Sequence, residues 1–445
     1  MRKYIDIAKD IENNIEKGKI QSGTKLPSVR NLANKYECSI NTIVKAYEEL
    51  KKKHLVYSVG QSGYYVVDSK KSDLDLESKY LDFSSPSPDL DGLPYLDFKH
   101  CVDKSIDLYK KQLFTYQGPY GFQPLKEILV KHFMNYQIFT KADNMVITSG
   151  SQQALSLLSR MAFPNGKKKI LIEQPSYCIY LRLLELENFE VITIERNFNG
   201  IDLEELERIF RTQDIKFFYT MPRFHFPLGT SFSLDERKAI ASLALKYDVY
   251  VVEDDYMADM EIDNRYDPIF TLGNYSHVVY LKTFSKILIP GLRVGVAVLP
   301  DNLIEKFRLY KHYTDFDTSP ITQATLEIYL KNGMFDHHKD QIKSIYIDRM
   351  ECLKKELQKY DTKNIQYSKE SAGFYMYLIL PNHINDMRLI ERLKDMGVLV
   401  MPGRESFFNG FITHKSIVLS ISRVTKEEIK KGVQIIINEI NRYSI

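Results

Sequence analysis

Between residues 145 and 298 the chain repeats one pattern: a short run rich in Val, Ile and Tyr, then a stretch with helical periodicity. The runs read "NMVITSG", "KKILIEQPSY", "FEVITIE", "IKFFYTM", "DVYVVEDDY", "HVVYLKTFSK" and "VGVAVLP". Each has strand length and strand residue types, and turn residues bound it. Strands alternating with helices predict an α/β domain built on a mostly parallel sheet. Such sheets bind ligands beyond the carboxyl ends of their strands. The polar residues just past each run are therefore where chemistry is expected.

Those residues form a coherent set. Ser149-Gly150-Ser151-Gln152 follows "NMVIT" and opens a helix, and a helix start with small residues attracts anions. Asp254, Asp255 and Tyr256 follow "DVYVVE"; Thr283, Ser285 and Lys286 follow "HVVYLK", with Arg293 close behind. Taken singly, a lysine at a strand end is usually a snorkelling surface residue, and Asp-Asp-Tyr is usually a helix cap. Together they offer an anion cradle, a carboxylate, a phenol and a lysine on one face. Pyridoxal 5′-phosphate uses all four: its aldehyde condenses with a lysine, its ring nitrogen pairs with a carboxylate, and its phosphate seeks a helix start and an arginine. A desolvated lysine has a lowered pKa and becomes nucleophilic.

The first seventy residues differ in character. The whole chain has 445 residues and a net charge of only +3, yet residues 1–70 hold 13 Lys/Arg against 8 Asp/Glu. A basic head on a near-neutral body points to a polyanionic partner. Tyr4, Ala8, Ile11 and Ile15 fall on one helical face. Pro27 suits the first turn of a second helix carrying Val29, Leu32, Ala33 and Tyr36. Ser39 is placed to cap a third, with Ile40, Ile43, Val44, Tyr47 and Leu50 inward. Two short helices joined by a tight turn make a helix-turn-helix. Leu55–Val59 and Tyr64–Val67 then alternate as a hairpin around Gly60–Gly63. Residues 69–79, "SKKSDLDLESK", read as a polar linker. The expected domains are thus 1–68, the linker 69–79, and 80–445.

No apolar run reaches the length that spans a bilayer, and the N-terminus has no secretory apolar core. Cys38, Cys101, Cys178 and Cys352 lack metal-type spacing, so no metal site is expected. These features predict a reduced, cytoplasmic protein without a membrane partner.

The stretch "LPSVRNLA" resembles the start of the GntR-type winged helix-turn-helix. That resemblance implies DNA contacts from Arg30, from Ser39, Asn41 and Thr42 at the recognition-helix start, from Lys45, and from the hairpin tip. Arg30 and Lys45 would chiefly meet phosphate, and Asn41 could reach a base edge. The chain departs from the family at Ile40, where some relatives carry arginine. From residue 80 onward, "YQGPYGFQPLKE", "SGSQQAL", "PSY", "EDDY" and "TFSKILIPGLRVG" resemble the fold-type I aminotransferases. This implies Lys286 as the Schiff-base lysine, Asp254 on the pyridine nitrogen, Tyr256 on the phenolic oxygen and Tyr177 stacked on the ring. It also implies Ser151, Gln152, Thr283, Ser285 and Arg293 on the phosphate, with Tyr116 reaching the phosphate of a partner subunit.

Two departures matter. "PRFHFPLGT" has Phe224-His225-Phe226 where one branch of that family has His-Gln-Phe, and Val418 stands where many relatives place the arginine for the substrate carboxylate. Arg404 and Arg423 are the candidates for that role, with Arg182 further off; a plain surface ion pair is the alternative for each. The two halves together resemble the MocR/GabR regulators, a winged helix-turn-helix fused to an aminotransferase-like body with a smaller C-terminal α+β part. The resemblance implies a head-to-tail, domain-swapped homodimer on a double-stranded DNA operator. The body would sense an amino compound, or pyridoxal 5′-phosphate itself, through Lys286. The alternative is a working aminotransferase with an appended head.

Overall fold

The computed structural model describes residues 3–442 apart from 22, 54, 60–62, 68–79, 90–91, 263–265, 274 and 361–364. The expected linker 69–79 and the hairpin tip at 60–62 lie outside the described residues. The chain divides into two compact units, Met1–Lys79 and Tyr80–Ile445.

The smaller unit has helices Lys3–Glu16, Val29–Lys35 and Ile40–Lys52, followed by strands β1 (Val56–Val59) and β2 (Gly63–Val66). The strands pair antiparallel, with Val56 opposite Val66. Its core joins Ile7, Ala8, Ile11, Leu26, Leu32, Ala33, Ile43, Ala46, Tyr47 and Leu50 to those two valines. Tyr4 and Ile15 pack against it half-buried.

Three local expectations change. Pro27 is not in the first turn of the second helix, because Ser28 is the cap and accepts a hydrogen bond from the Asn31 amide at 3.2 Å. The Pro27 carbonyl instead accepts the Tyr47 hydroxyl at 2.6 Å, tying the second helix to the third. Ile40 points to solvent with 54% of its surface exposed, and Val44 is only half-buried. Ile43, Ala46, Tyr47 and Leu50 already supply a complete helical stripe, and Ile40 lies at its edge.

The larger unit contains β3 (Leu81–Phe83), β4 (Met145–Thr148), β5 (Lys169–Gln174), β6 (Val191–Asn197), β7 (Gly200–Ile201) and β8 (Ile215–Thr220). Next come β9 (Tyr250–Asp254), β10 (Val278–Thr283), β11 (Gly295–Val298), β12 (Tyr375–Ile379), β13 (Val398–Pro402) and β14 (Ser416–Ser420). Eight strands form one sheet in the order β4-β11-β10-β9-β8-β5-β6-β7. Strands β10, β9, β8, β5 and β6 run parallel. Strand β11 is antiparallel to both β10 and β4. Only residues 284–294 separate β10 from β11, with no crossover helix, so the chain returns antiparallel. Every residue of β4, β8, β9, β10 and β11 is buried, which is why these strands read as near-continuous apolar runs. A second sheet, β12-β14-β13-β3, forms the smaller α+β part. No helix among the described residues is long and apolar enough to cross a membrane.

Candidate functional site

Within the larger unit, residues at and beyond the ends of β4, β9 and β10 line a cavity of about 340 Å³. Ser151, Gln152, Tyr177, Asp254, Tyr256, Thr283, Ser285, Lys286 and Arg293, singled out from the sequence, all line it. Tyr116 does not. It is 85% exposed and meets the edge of Phe316.

Lys286 donates to the Pro86 carbonyl at 2.8 Å and to the Tyr375 hydroxyl at 3.3 Å. Burial pulls its pKa down to about 8, against the opposing effects of Cys178 and Asp254. The ammonium is thus held weakly enough to give up its proton near neutrality. Asp254 ends β9 and is buried. Burial raises its carboxyl to about 7, although the Tyr219 hydroxyl donates to its Oδ2 at 3.0 Å. Its Oδ1 is buried with no hydrogen-bond partner. A buried acceptor without a donor costs about 1–3 kcal/mol, so the cavity is short of one donor at that atom. A protonated ring nitrogen would supply it.

The opposite end of the cavity suits a phosphate. Gly150 precedes the helix Ser151–Arg160 and gives it no side-chain cap, so the first amides of that helix are left for a ligand. Gly150 has φ +81°, and a Cβ there would lie 2.8 Å from a guanidinium nitrogen of Arg293. Gly295 is as tightly placed, since a Cβ on it would fall 2.6 Å from the Gly150 carbonyl carbon. Arg293 adopts a left-handed backbone (φ 52°) and donates to the Ser149 carbonyl at 3.1 Å. Thr283 and Ser285 are linked at 3.1 Å through their hydroxyls. An anion cradle and an orphaned carboxylate oxygen in the same cavity fit pyridoxal 5′-phosphate.

Two of these tyrosines carry hydrogen bonds of their own within the chain. Tyr256 donates its hydroxyl to the Phe224 carbonyl at 2.6 Å, so its proton is not free for a phenolic oxygen. Tyr177 accepts from the Gln152 side chain at 2.8 Å, which makes Gln152 a support for the aromatic ring as well as a neighbour of the anion end.

Several lining residues were not singled out as site residues: Pro86, Cys178, Met221 and Tyr375 in the cavity wall, and Tyr219 behind Asp254. A tyrosine near the carboxyl end of β8 is a faint signal for Tyr219. Pro86 and Tyr375 reach Lys286 from 200 and 89 residues away, and a single sequence carries no sign of that. Phe226 lines the cavity and meets the Tyr375 ring edge-on at 4.9 Å. Its neighbour His225 is fully buried, 3.2 Å from Glu173, and burial followed by the Arg196 charge lowers it to about 4, which keeps the ring neutral.

The arginines separate clearly. Arg404 forms a two-pronged pair with the buried carboxylate of Asp386, so its guanidinium is already engaged. Arg182 binds Glu185 and the carbonyls of Glu405 and Phe407. Val418 is buried in β14 opposite Met401, a cavity residue, and has no polar group to offer. Arg423 is half-buried and its Nε has no partner. It is outside the cavity lining. The preceding Ser422 donates to the Ser85 carbonyl at 2.9 Å, next to the rim residues Pro86 and Ser87.

In the smaller unit Arg30, Asn41 and Lys45 are exposed. Ser39 caps the third helix by accepting the Thr42 amide at 3.2 Å, and the Ser39 and Thr42 hydroxyls bond to each other at 2.8 Å. These two side chains hold the helix start, and between them they keep one hydroxyl donor and free acceptor lone pairs.

Residues 78–436 match the family described as aminotransferase class I and II, and residues 3–66 match the bacterial regulatory proteins of the gntR family. The uncharacterized HTH-type transcriptional regulator YcxD of Bacillus subtilis is 41% identical over 99% of this chain and 100% of its own length. The HTH-type transcriptional regulator NorG of Staphylococcus aureus is 25% identical, covering 92% of this chain and 98% of its own. Among solved structures, the kynurenine aminotransferase of Pyrococcus horikoshii aligns with a TM-score of 0.76 and 27% identity, over 83% of this chain and 93% of its own. The chain belongs to the MocR-type transcriptional regulators, in which a GntR-family helix-turn-helix is fused to a class I and II aminotransferase domain.

Proposed function

We propose that this regulator binds a double-stranded operator as a homodimer and holds pyridoxal 5′-phosphate in the Lys286 cavity, where an amino effector is sensed. The observation that carries the cofactor reading is the unpartnered, buried Oδ1 of Asp254 in the same cavity as a lysine held near pH 8. When bound, the cofactor supplies an aldehyde with which a primary amine condenses. Lys286 would be the amine that holds the aldehyde, its proton held weakly enough to leave near neutrality. Asp254, kept in place by Tyr219, would accept a ring N–H at its unpartnered oxygen. Arg293, Ser285, Thr283 and the first amides of the helix Ser151–Arg160 would hold the phosphate, and Tyr177, braced by Gln152, would cover the ring. Arg423, outside the cavity lining but with its Nε unpartnered, is the candidate for an effector carboxylate at the rim by Pro86 and Ser87. In a head-to-tail homodimer, the exposed Tyr116 is available to a partner's site. Regulation requires the effector to bind two conformations with different affinity.

The test combines spectroscopy with DNA binding. Wild type given the cofactor should gain a visible absorption band that survives gel filtration, and Lys286→Ala should not. Candidate amines should change the DNA affinity of wild type alone. A wild type that acquires no band rules out the sensor reading. Rapid turnover of amino-acid and keto-acid pairs without DNA affinity would instead support an aminotransferase.

A further inference from the structure

The recognition helix of the smaller unit starts with a residue that the fold does not use. Ile40 opens the helix Ile40–Lys52, is 54% exposed, and is absent from the core built by Ile43, Ala46, Tyr47 and Leu50. A β-branched aliphatic side chain there adds nothing to helix propensity and leaves apolar surface in water. Its neighbours on the outward face, Asn41 and Lys45, are also exposed, and Arg30 is exposed on the preceding helix. The other two polar side chains at this helix start, Ser39 and Thr42, bond to each other. The side chains that this helix start does not use in its own hydrogen bonds, Ile40 and Asn41, are one aliphatic group and one carboxamide.

In the major groove an aliphatic side chain has one apolar complement, the 5-methyl of thymine, and a carboxamide has one bidentate complement, the N6/N7 edge of adenine. We propose that Ile40 reads a thymine methyl in each half-site, beside an adenine read by Asn41. Arg30 and Lys45 sit over phosphates and set the register without choosing the sequence. The inference rests on the DNA-binding reading above.

Full-length protein would be used to enrich duplexes from random-sequence DNA. In the best duplex each thymine would then be replaced in turn by deoxyuridine, which removes only the methyl group. At one thymine per half-site, wild type should bind about fourfold more weakly, the effect of one buried methyl-sized group. Ile40→Ala should bind the thymine and uracil duplexes equally at that position, with an unchanged circular dichroism spectrum. Asn41→Ala should keep the thymine preference and lose the neighbouring adenine preference. A wild type indifferent to every uracil replacement would overturn the inference alone, as would an Ile40→Ala protein that still discriminates. Failure to enrich any duplex would overturn the DNA-binding reading together with it.

Discussion

Asp254→Asn should make the cofactor-free protein more stable at alkaline pH while it weakens cofactor binding. The carboxyl is buried and its pKa rises from 3.8 to about 7, burial being the main cause. Below about pH 4 folded and unfolded chains are both protonated at this residue, and it contributes no pH dependence. Between the two values the unfolded chain ionises while the folded one keeps its proton, so stability falls as pH rises. Above about 7 the loss is complete. The rise from 3.8 to about 7, at 1.36 kcal/mol per pH unit, sets it at ~4 kcal/mol. Asparagine keeps the shape and an acceptor for Tyr219 but cannot ionise. Urea unfolding of the larger unit, without cofactor, should therefore show Asp254→Asn about 2 kcal/mol above wild type at pH 5 and ~4 kcal/mol above it at pH 8. Other buried titrating groups, such as Glu253, occur in both proteins and cancel in the difference. Cofactor titration of the same variant should show a large loss of affinity, because the ring nitrogen loses its anionic partner. Parallel stability curves for the two proteins from pH 5 to pH 8 would refute the reasoning, since the carboxyl would then carry no burial penalty for a ligand to relieve.

Gly295→Ala places a Cβ 2.6 Å from the Gly150 backbone, so the anion turn must shift. The expected cost is about 1–3 kcal/mol of stability, with cofactor affinity falling at least tenfold (~1.4 kcal/mol) in a spectroscopic titration. Ser39→Ala removes the cap on the recognition helix. It should destabilise the smaller unit by ~1 kcal/mol in urea unfolding, and weaken all DNA sequences equally in gel-shift titrations. Arg404→Ala leaves the buried Asp386 carboxylate without its cation and should lose about 2 kcal/mol in chemical denaturation, with the effector response of DNA binding unchanged. A lost response with intact stability would instead give Arg404 a carboxylate-binding role.

These expectations share a physical theme. The cavity keeps a lysine near pH 8 and a carboxylate oxygen without a donor, both unfavourable in the isolated fold. Strain of this kind collects at binding sites because the ligand removes it. By contrast, the buried pair Lys282–Asp259, with Tyr136 donating to the second carboxylate oxygen, is complete within the chain and asks nothing of a ligand.

What was legible in the sequence is what local chemistry dictates. The strand–helix alternation sets the sheet, and motif order puts Ser151, Asp254, Thr283, Ser285, Lys286 and Arg293 at or beyond strand ends, because a parallel sheet brings all its carboxyl ends to one edge. The Ser39 cap was legible for the same reason, since a helix start needs an acceptor within three residues. Competition between distant groups was not legible. Arg404 and Arg423 look alike along the chain, and only packing shows that Asp386 holds the first while the Nε of the second has no partner. Tyr256 sits where the motif puts it, yet its proton goes to a carbonyl brought up by the Phe224-His225-Phe226 turn. Ile40 has the same apolar character as Ile43, and the rotation of one helix against its core decides that one is buried and the other faces outward. Periodicity and caps depend on neighbours a few residues away, whereas the partner of a buried charge or a surface isoleucine depends on which distant segments the fold brings together.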